Sequence, residues 1–384
     1  MVTHRSDRPA RVALVVDGVL PWSKGGRETM YDALVPRWEA AGHEVTVYTM
    51  RWWDDEPPSG RTLRALTPKI PMYAGDRRSI GQGIAFALGT LRLLVRPMDV
   101  IVADHMPYLQ LFPLRLVAWL RGVRLVVPWH EIWGRSYWLE YMGGLGHLGA
   151  TVERMAARLP DLNVAGSSLV RAQLDSLGVA AERIALIPYG MDRRALESIE
   201  PGPDTPALLS VGRLAPHKRT DLALRALALL RAEGRDVQLG IIGDGPQRAE
   251  LEELAAELGL VDHVRWYGEF EDLSEVWSVL AAAQVLVFPS EREGFGLVAA
   301  EAQALGTPVI VSDHTHNLAK DLVADEVTGS IIAAGDARAL TDACEHWLDA
   351  TTSRAELTDR FWAAHPELDW DSASTRWLEV ICSP

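Results

Sequence analysis

Two cysteines in 384 residues, Cys344 and Cys382, have no paired spacing. That excludes a disulfide scaffold and a zinc or redox motif, and it suits a reducing compartment. No uninterrupted apolar run approaches the roughly 20 residues that a membrane span requires. The longest, around residues 84–95 and 109–120, are interrupted by Arg92 and Arg115. The first eleven residues are polar and lack the apolar core of a signal peptide. No Gly-x-Gly-x-x-Gly follows the first apolar run, so a nicotinamide dehydrogenase is excluded. Excess positive charge is missing too: the formal net charge is −14, and a nucleic acid would be repelled by most of the surface. These absences predict a cytoplasmic protein with no nucleic-acid partner.

The charge is unevenly spread. Residues 1–200 carry 24 Lys and Arg against 21 Asp and Glu, and the remainder 14 against 31. In the mildly basic first half, Arg77, Arg78, Arg92 and Arg96 bracket the apolar stretch 84–95. Two readings stand: an amphipathic helix resting on the inner face of an anionic membrane, or an ordinary packed helix with solvated ends.

The chain reads as α/β. The run 11–17 (RVALVVD) is a buried parallel strand, followed by a glycine loop over 18–26 and a helix over 27–41 that ends at Gly42. Further strands are predicted at 44–49, 100–103, 124–127 and 162–164. A segment rich in Pro, Gly and charge between 187 and 206 reads as a linker. Then the series restarts, with strands at 207–211, 237–242, 264–267, 285–288 and 309–311 and helices at 220–232 and 247–258. Two such series predict two Rossmann-like, doubly wound domains facing each other across a cleft. Their expected extents are 1–200 and 201–366, with a terminal helix over 367–384 that packs back on the first domain. Ligands in such sheets bind beyond the carboxyl ends of the strands.

The most informative segment is Pro289-Ser290-Glu291-Arg292-Glu293-Gly294-Phe295-Gly296-Leu297-Val298-Ala299-Ala300-Glu301. Glycines ahead of a helix free backbone amides for a phosphate or a sugar hydroxyl, and the helix dipole favours the anion. With Glu293 and Glu301 flanking that loop, the sequence resembles family 4 of the retaining glycosyltransferases, whose signature is Glu-x7-Glu with Gly-Phe-Gly after the first glutamate. The resemblance extends over nearly the whole chain. It includes Gly212-Arg213-Leu214 with Lys218, Gly243-Asp244-Gly245-Pro246, Ala304-Leu305-Gly306-Thr307-Pro308, and Ile187-Pro188-Tyr189-Gly190-Met191-Asp192, where Tyr189 replaces the usual Asn.

The resemblance implies the two-domain GT-B architecture and a retaining transfer from a UDP- or GDP-sugar to a glycan, lipid-linked or small-molecule acceptor. Arg213 and Lys218 are expected to hold the diphosphate, Glu301 the ribose hydroxyls, and Glu293 the donor sugar. The amides of Gly294, Phe295 and Gly296, with Leu297, complete the donor side. By this reading no Asp-x-Asp metal motif appears and cationic side chains replace a divalent ion, so no metal and no other cofactor is expected.

In the first domain, Gly25 and Gly26 match the family's paired glycines, with Gly26 on the donor side and Gly25 on the acceptor side. His130, followed by Glu131, stands where the family has a His-Asp or His-Glu pair and, with Glu293, is expected to be catalytic, as base or as a group positioning the donor sugar. Trp133 and Glu131 are expected on the acceptor side. The aromatic-dense stretch 129–141 either stacks on sugar or lipid or packs internally, and the glycines of 142–146 suggest a mobile acceptor loop. The competing functions are a nucleotide-sugar epimerase on the same scaffold and a non-catalytic partner that binds a nucleotide sugar.

Overall fold

The computed structural model describes residues 9–23, 25–57, 60–74, 77–203 and 205–383. They divide into two compact units, residues 1–190 with 370–384 and residues 191–369.

The first unit is built on a seven-stranded, all-parallel sheet. Its strands are Arg11–Val15 (β1), Glu44–Met50 (β2), Thr62–Thr67 (β3), Val100–Ala103 (β4), Arg124–Trp129 (β5), Leu162–Ala165 (β6) and Ile184–Leu186 (β7). The spatial order β3-β2-β1-β4-β5-β6-β7 reverses between β1 and β4, the point where such sheets bind ligands. The central strands β1, β4 and β5 are nearly continuous apolar runs because helices cover both faces. One face packs Phe86, Leu111, Leu114 and Trp129, the other Leu34, Trp38, Trp370 and Trp377.

The second unit repeats the plan with Leu208–Val211 (β8), Leu239–Ile242 (β9), Val264–Gly268 (β10), Val285–Phe288 (β11), Val309–Ser312 (β12) and Gly329–Ile332 (β13). The order β10-β9-β8-β11-β12-β13 reverses between β8 and β11.

Several expectations need amending. β3 and β13 carry too few consecutive apolar residues to stand out in the sequence, and β7 is a three-residue strand that runs directly into the Ile-Pro-Tyr-Gly segment; pairing with a neighbour defines all three. The segment 191–206 is not a free linker: it holds a helical turn, Arg193–Glu197, and Ser278 ties it down by accepting from Gly202 N–H through its carbonyl (2.9 Å) and donating to the Glu200 carbonyl (2.8 Å). The unit boundary therefore falls at residues 190/191 rather than 200/201. The stretch 84–95 belongs to an α-helix over Ile80–Gly89 continued by a 3-10 helix over Thr90–Val95. The glycine-rich 142–146 is a helical turn rather than a mobile loop. It joins the helices Gly134–Met142 and Gly146–Ala157, with Gly146 so close to the Trp138 carbonyl that a Cβ would lie 2.2 Å from it.

The helix Trp370–Cys382 returns to the first unit and packs on the helix Gly26–Ala40. Trp377 meets Trp38 with ring centroids 5.8 Å apart, and Arg37 pairs with Asp371 at 2.7 Å. Gly190 makes the return possible: a Cβ there would lie 2.5 Å from the Trp370 ring.

Candidate active site

In the first unit, the carboxyl ends of β1, β4 and β5 bring together residues far apart in sequence. Asp17, just beyond β1, and Asp104, just beyond β4, are both fully buried. Buried carboxylates stay ionised only when cations and donors meet them. Arg27, in the first turn of the Gly26–Ala40 helix, supplies that charge: its guanidinium lies 3.0 Å from Asp17 and 3.7 Å from Asp104. Arg78 (2.7 Å) and Gln82 (3.2 Å) complete the Asp17 shell. Asp104 accepts from Tyr31 Oη at 3.2 Å and from the Met106 amide at 2.8 Å. Burial pushes the Asp104 carboxyl up, but Arg27 and the two neighbouring imidazoles, His105 and His130, hold it well below the usual carboxylate range.

His130 follows β5. Its Nε2 lies 3.1 Å from Asp104 Oδ2, and its Nδ1 meets the Tyr189 hydroxyl. These partners assign Nε2–H as donor and Nδ1 as acceptor. Burial outweighs the Asp104 charge and holds the imidazole below its ordinary value. His130 is thus a neutral ring with both nitrogens engaged, better suited to shaping a wall than to taking a proton.

Asp104, His105 and His130 each offer a ligand atom, all within 4.8 Å of one another. Arg27 already provides positive charge there, and His130 has no uncommitted nitrogen in this arrangement, so the donor set suits a hydrogen-bond network better than a cation. An Asp-x-Asp triplet does occur at 369–371, but it opens the C-terminal helix. Its Trp370 is buried and its Asp371 is bound by Arg37.

Gly25 and Gly26 are exposed at the N-terminus of the Gly26–Ala40 helix. Glu131 is exposed and accepts from the Trp133 indole at 2.8 Å. The aromatic stretch packs internally: Trp133 lies 4.8–5.0 Å, ring to ring, from Tyr137, Trp138 and Tyr141, and Trp129 is fully buried with its indole bonded to Asn163. Buried Glu153 fastens the turn by accepting from the amides of Trp133 and Gly134 and from the Tyr108 hydroxyl.

In the second unit, the loops after β8 and β11 lie side by side at the switch point. Lys218 Nζ donates to Glu293 Oε1 at 2.6 Å and lies 5.2 Å from the Phe288 ring centre. Arg213 is exposed, and among the described residues no carboxylate pairs with it. Gly294 is exposed and Phe295 half-buried. Gly296 caps the helix Leu297–Ala304 with φ +89°, and a Cβ there would meet the Ala319 Cβ at 2.6 Å. Only glycine serves at that position. Glu301, one turn into this helix, is 8% exposed and has no Lys, Arg or His within pairing distance among the described residues. Burial pushes its carboxyl up to about 7. The Trp277 indole N–H beside it pulls the other way without forming a hydrogen bond.

The structure therefore gathers Lys218, Glu293, Gly294, Phe295, Gly296 and Leu297 in one place, with Glu301 on the helix behind, and sets His130 in a separate polar network of the first unit. Sequence reasoning missed Asp17, Arg27, Tyr31 and Asp104. The signal was present at two of them: Asp17 and Asp104 each end an apolar strand run, and a carboxylate there faces the ligand side of the sheet.

Residues 24–194 match the family described as Glycosyltransferase Family 4, and residues 193–361 match Glycosyl transferases group 1. A GDP-mannose-dependent alpha-(1-6)-phosphatidylinositol dimannoside mannosyltransferase of Mycobacterium tuberculosis (strain ATCC 25177 / H37Ra) is 31% identical over 324 residues, covering 78% of this chain and 79% of the relative. The chain belongs to glycosyltransferase family 4. A D-inositol 3-phosphate glycosyltransferase of Xylanimonas cellulosilytica is 30% identical, with 88% of this chain and 87% of the relative covered. Among solved structures, Anabaena Alr3699/HepE in complex with UDP and glucose superposes with a TM-score of 0.73 at 18% identity, over 98% of this chain and 100% of that one. WaaG, a glycosyltransferase involved in lipopolysaccharide biosynthesis, gives 0.71 at 21% identity, over 97% and 100%. The glycosyltransferase thus has the GT-B fold.

Proposed function

We propose that the protein is a retaining, metal-independent hexosyltransferase that moves a sugar from a UDP- or GDP-sugar to a glycan, lipid-linked or small-molecule acceptor. The observation that carries the reading is the meeting of Lys218, Glu293 and the glycine-capped helix N-terminus at the carboxyl ends of β8 and β11. In this scheme Lys218 and Arg213 neutralise the departing diphosphate, the amides of residues 294–296 and Glu293 hold the sugar hydroxyls, and Glu301 accepts from the ribose. The bond from the anomeric carbon to the diphosphate breaks as the acceptor oxygen attacks on the same face. The acceptor proton passes to the leaving phosphate oxygen, so no covalent nucleophile is needed. His130, kept neutral by burial and oriented by Asp104 and Tyr189, positions the sugar; Gly26 belongs to the donor side, and Gly25, Glu131 and Trp133 to the acceptor side. The mycobacterial relative is named for GDP-mannose and a phosphatidylinositol acceptor, which favours a GDP-sugar and a lipid-linked acceptor. Such an acceptor would hold the protein against the inner face of a membrane, a reading supported by the exposed apolar residues of the Ile80–Val95 segment.

Thermal melting against UDP, GDP and ADP with EDTA present tests this. One nucleotide should raise the melting temperature, by an amount equivalent to about 2.7 kcal/mol at a hundredfold excess over Kd. Lys218→Ala and Glu301→Ala should each lower turnover by roughly 100-fold or more while keeping the fold. No shift with any nucleotide would support the non-catalytic partner instead.

A further inference from the structure

Arg219 occupies a backbone position that arginine does not favour. Its φ is +54°, and among the described residues only Glu326 shares that left-handed conformation without being glycine. It lies between the 3-10 turn Pro216–Lys218 and the helix Thr220–Ala232. Glycine adopts that conformation without a steric penalty, so what the arginine side chain does there calls for a reason. Its Nε and Nη2 donate to the two oxygens of Asp221 at 3.0 and 3.1 Å, and Nη1 reaches across to Glu291 Oε1 at 2.5 Å.

Glu291 belongs to the other donor loop, two residues before Glu293. Its amide donates to the His217 carbonyl at 2.7 Å. The loop carrying Lys218 and the loop carrying Glu293 are therefore joined at three points: this backbone bond, the Arg219–Glu291 pair and the Lys218–Glu293 pair. The third cannot persist unchanged during turnover, because Lys218 and Glu293 are the groups assigned to diphosphate and sugar. When a donor takes those two side chains, the outer pair and the backbone bond are what hold the loops in register.

We propose that Arg219 is a positioning residue of the donor site, fastening the diphosphate-binding loop to the sugar-binding loop while Lys218 and Glu293 exchange each other for the donor. Its guanidinium, fixed in a fork by Asp221, sets where Glu291 stands, and through Glu291 the path of residues 291–296. This rests on the donor-site reading above.

The experiment compares wild type with Arg219→Gly, Arg219→Lys, Glu291→Gln and the Arg219→Gly/Glu291→Gln double variant, measuring UDP and GDP binding by calorimetry and unliganded melting temperature. Arg219→Gly should melt at or above the wild-type temperature, since it relieves the left-handed strain. It should nevertheless bind the preferred nucleotide roughly tenfold more weakly. Glu291→Gln should lose about as much, the double variant no more than either single one, and Arg219→Lys an intermediate amount. Binding by Arg219→Gly within about twofold of wild type would overturn the proposal. So would a loss that appears only together with a lowered melting temperature in both single variants, which would assign the pair to folding. If wild type binds neither nucleotide, the donor-site reading itself falls and this inference with it; binding by wild type with no loss in the variants removes the inference alone.

Discussion

Glu301 combines two demands that oppose each other. A carboxylate that accepts two ribose hydroxyls must be ionised, yet burial without a cation raises its pKa from 4.5 to about 7. Because the folded state holds the proton more tightly, stability is fully present below pH 4.5, falls as pH rises towards 7, and stays low above it. Glu301→Gln should therefore melt higher than wild type at pH 8, by an amount on the order of 3 kcal/mol, with the gap closing below pH 5. Nucleotide affinity should run the other way. In wild type it weakens by up to about tenfold per pH unit below 7, and in Glu301→Gln it is weak and flat; calorimetric titrations at pH 6, 7 and 8 read this directly. An equal pH dependence in both proteins would remove Glu301 from the ribose site.

Glu301 was legible in the sequence because its spacing to Glu293 is local and a single helix with its leading loop carries both. Asp104, Arg27 and His130 were not legible as a group. Their meeting depends on β1, β4 and β5 lying in the order that the sheet adopts, and nothing in any one segment announces that order. Tyr189 was visible as a departure from the family pattern, but its partner, His130 Nδ1, lies 59 residues away in the loop after another strand.

Among the elements, the helix Ile80–Gly89 has an unusual surface. Ile80, Ile84 and Leu88 recur at i, i+4 and i+8 and are 62%, 48% and 62% exposed, and Val95 beyond them is more exposed still. The helix Leu111–Arg121, which packs beside it, adds exposed Leu116, Trp119 and Leu120. No Asp or Glu occurs in residues 80–98 or 105–124, whereas Arg92, Arg96 and Arg121 are exposed there. Apolar stripes edged by arginine suit an anionic lipid surface. Arg78, grouped with this face in the sequence, instead turns inward to Asp17. No helix among the described residues is long and apolar enough to cross a bilayer. The protein should sediment with phosphatidylglycerol vesicles and not with phosphatidylcholine ones. Leu88→Glu with Arg96→Glu should release it while leaving the melting temperature within about 1–2 °C, because both side chains are exposed. Retention of the double variant on the vesicles would reject this face as the membrane contact.

Across the whole molecule, two sheets with the same strand order each gather polar groups at their switch point: the Asp17–Arg27–Asp104–His130 network in the first unit and the Lys218–Glu293 pair in the second. Their repetition was readable because most of the central strands are buried apolar runs ending in turn residues. The boundary was not, because the helical turn Arg193–Glu197 is too short to leave a periodic pattern. Stability should also divide by unit. Trp377→Ala removes a ring buried against Trp38 and should cost about 3–5 kcal/mol, all of it in the first unit. Scanning calorimetry should show one transition moved to lower temperature and a second, the one raised by nucleotide, unmoved. A uniform shift of the entire profile would show that the units unfold together.

The last helix completes the unit that the first strand begins, and this sets an order on the ribosome. Residues 191–369 form a continuous stretch that needs no later segment to fold. The earlier-made unit waits with Trp38 uncovered until residues 370–382 clear the exit tunnel. A released chain that stops short of Trp370 therefore carries a complete second unit and an unfinished first one, with an open apolar face for chaperones and proteases to find.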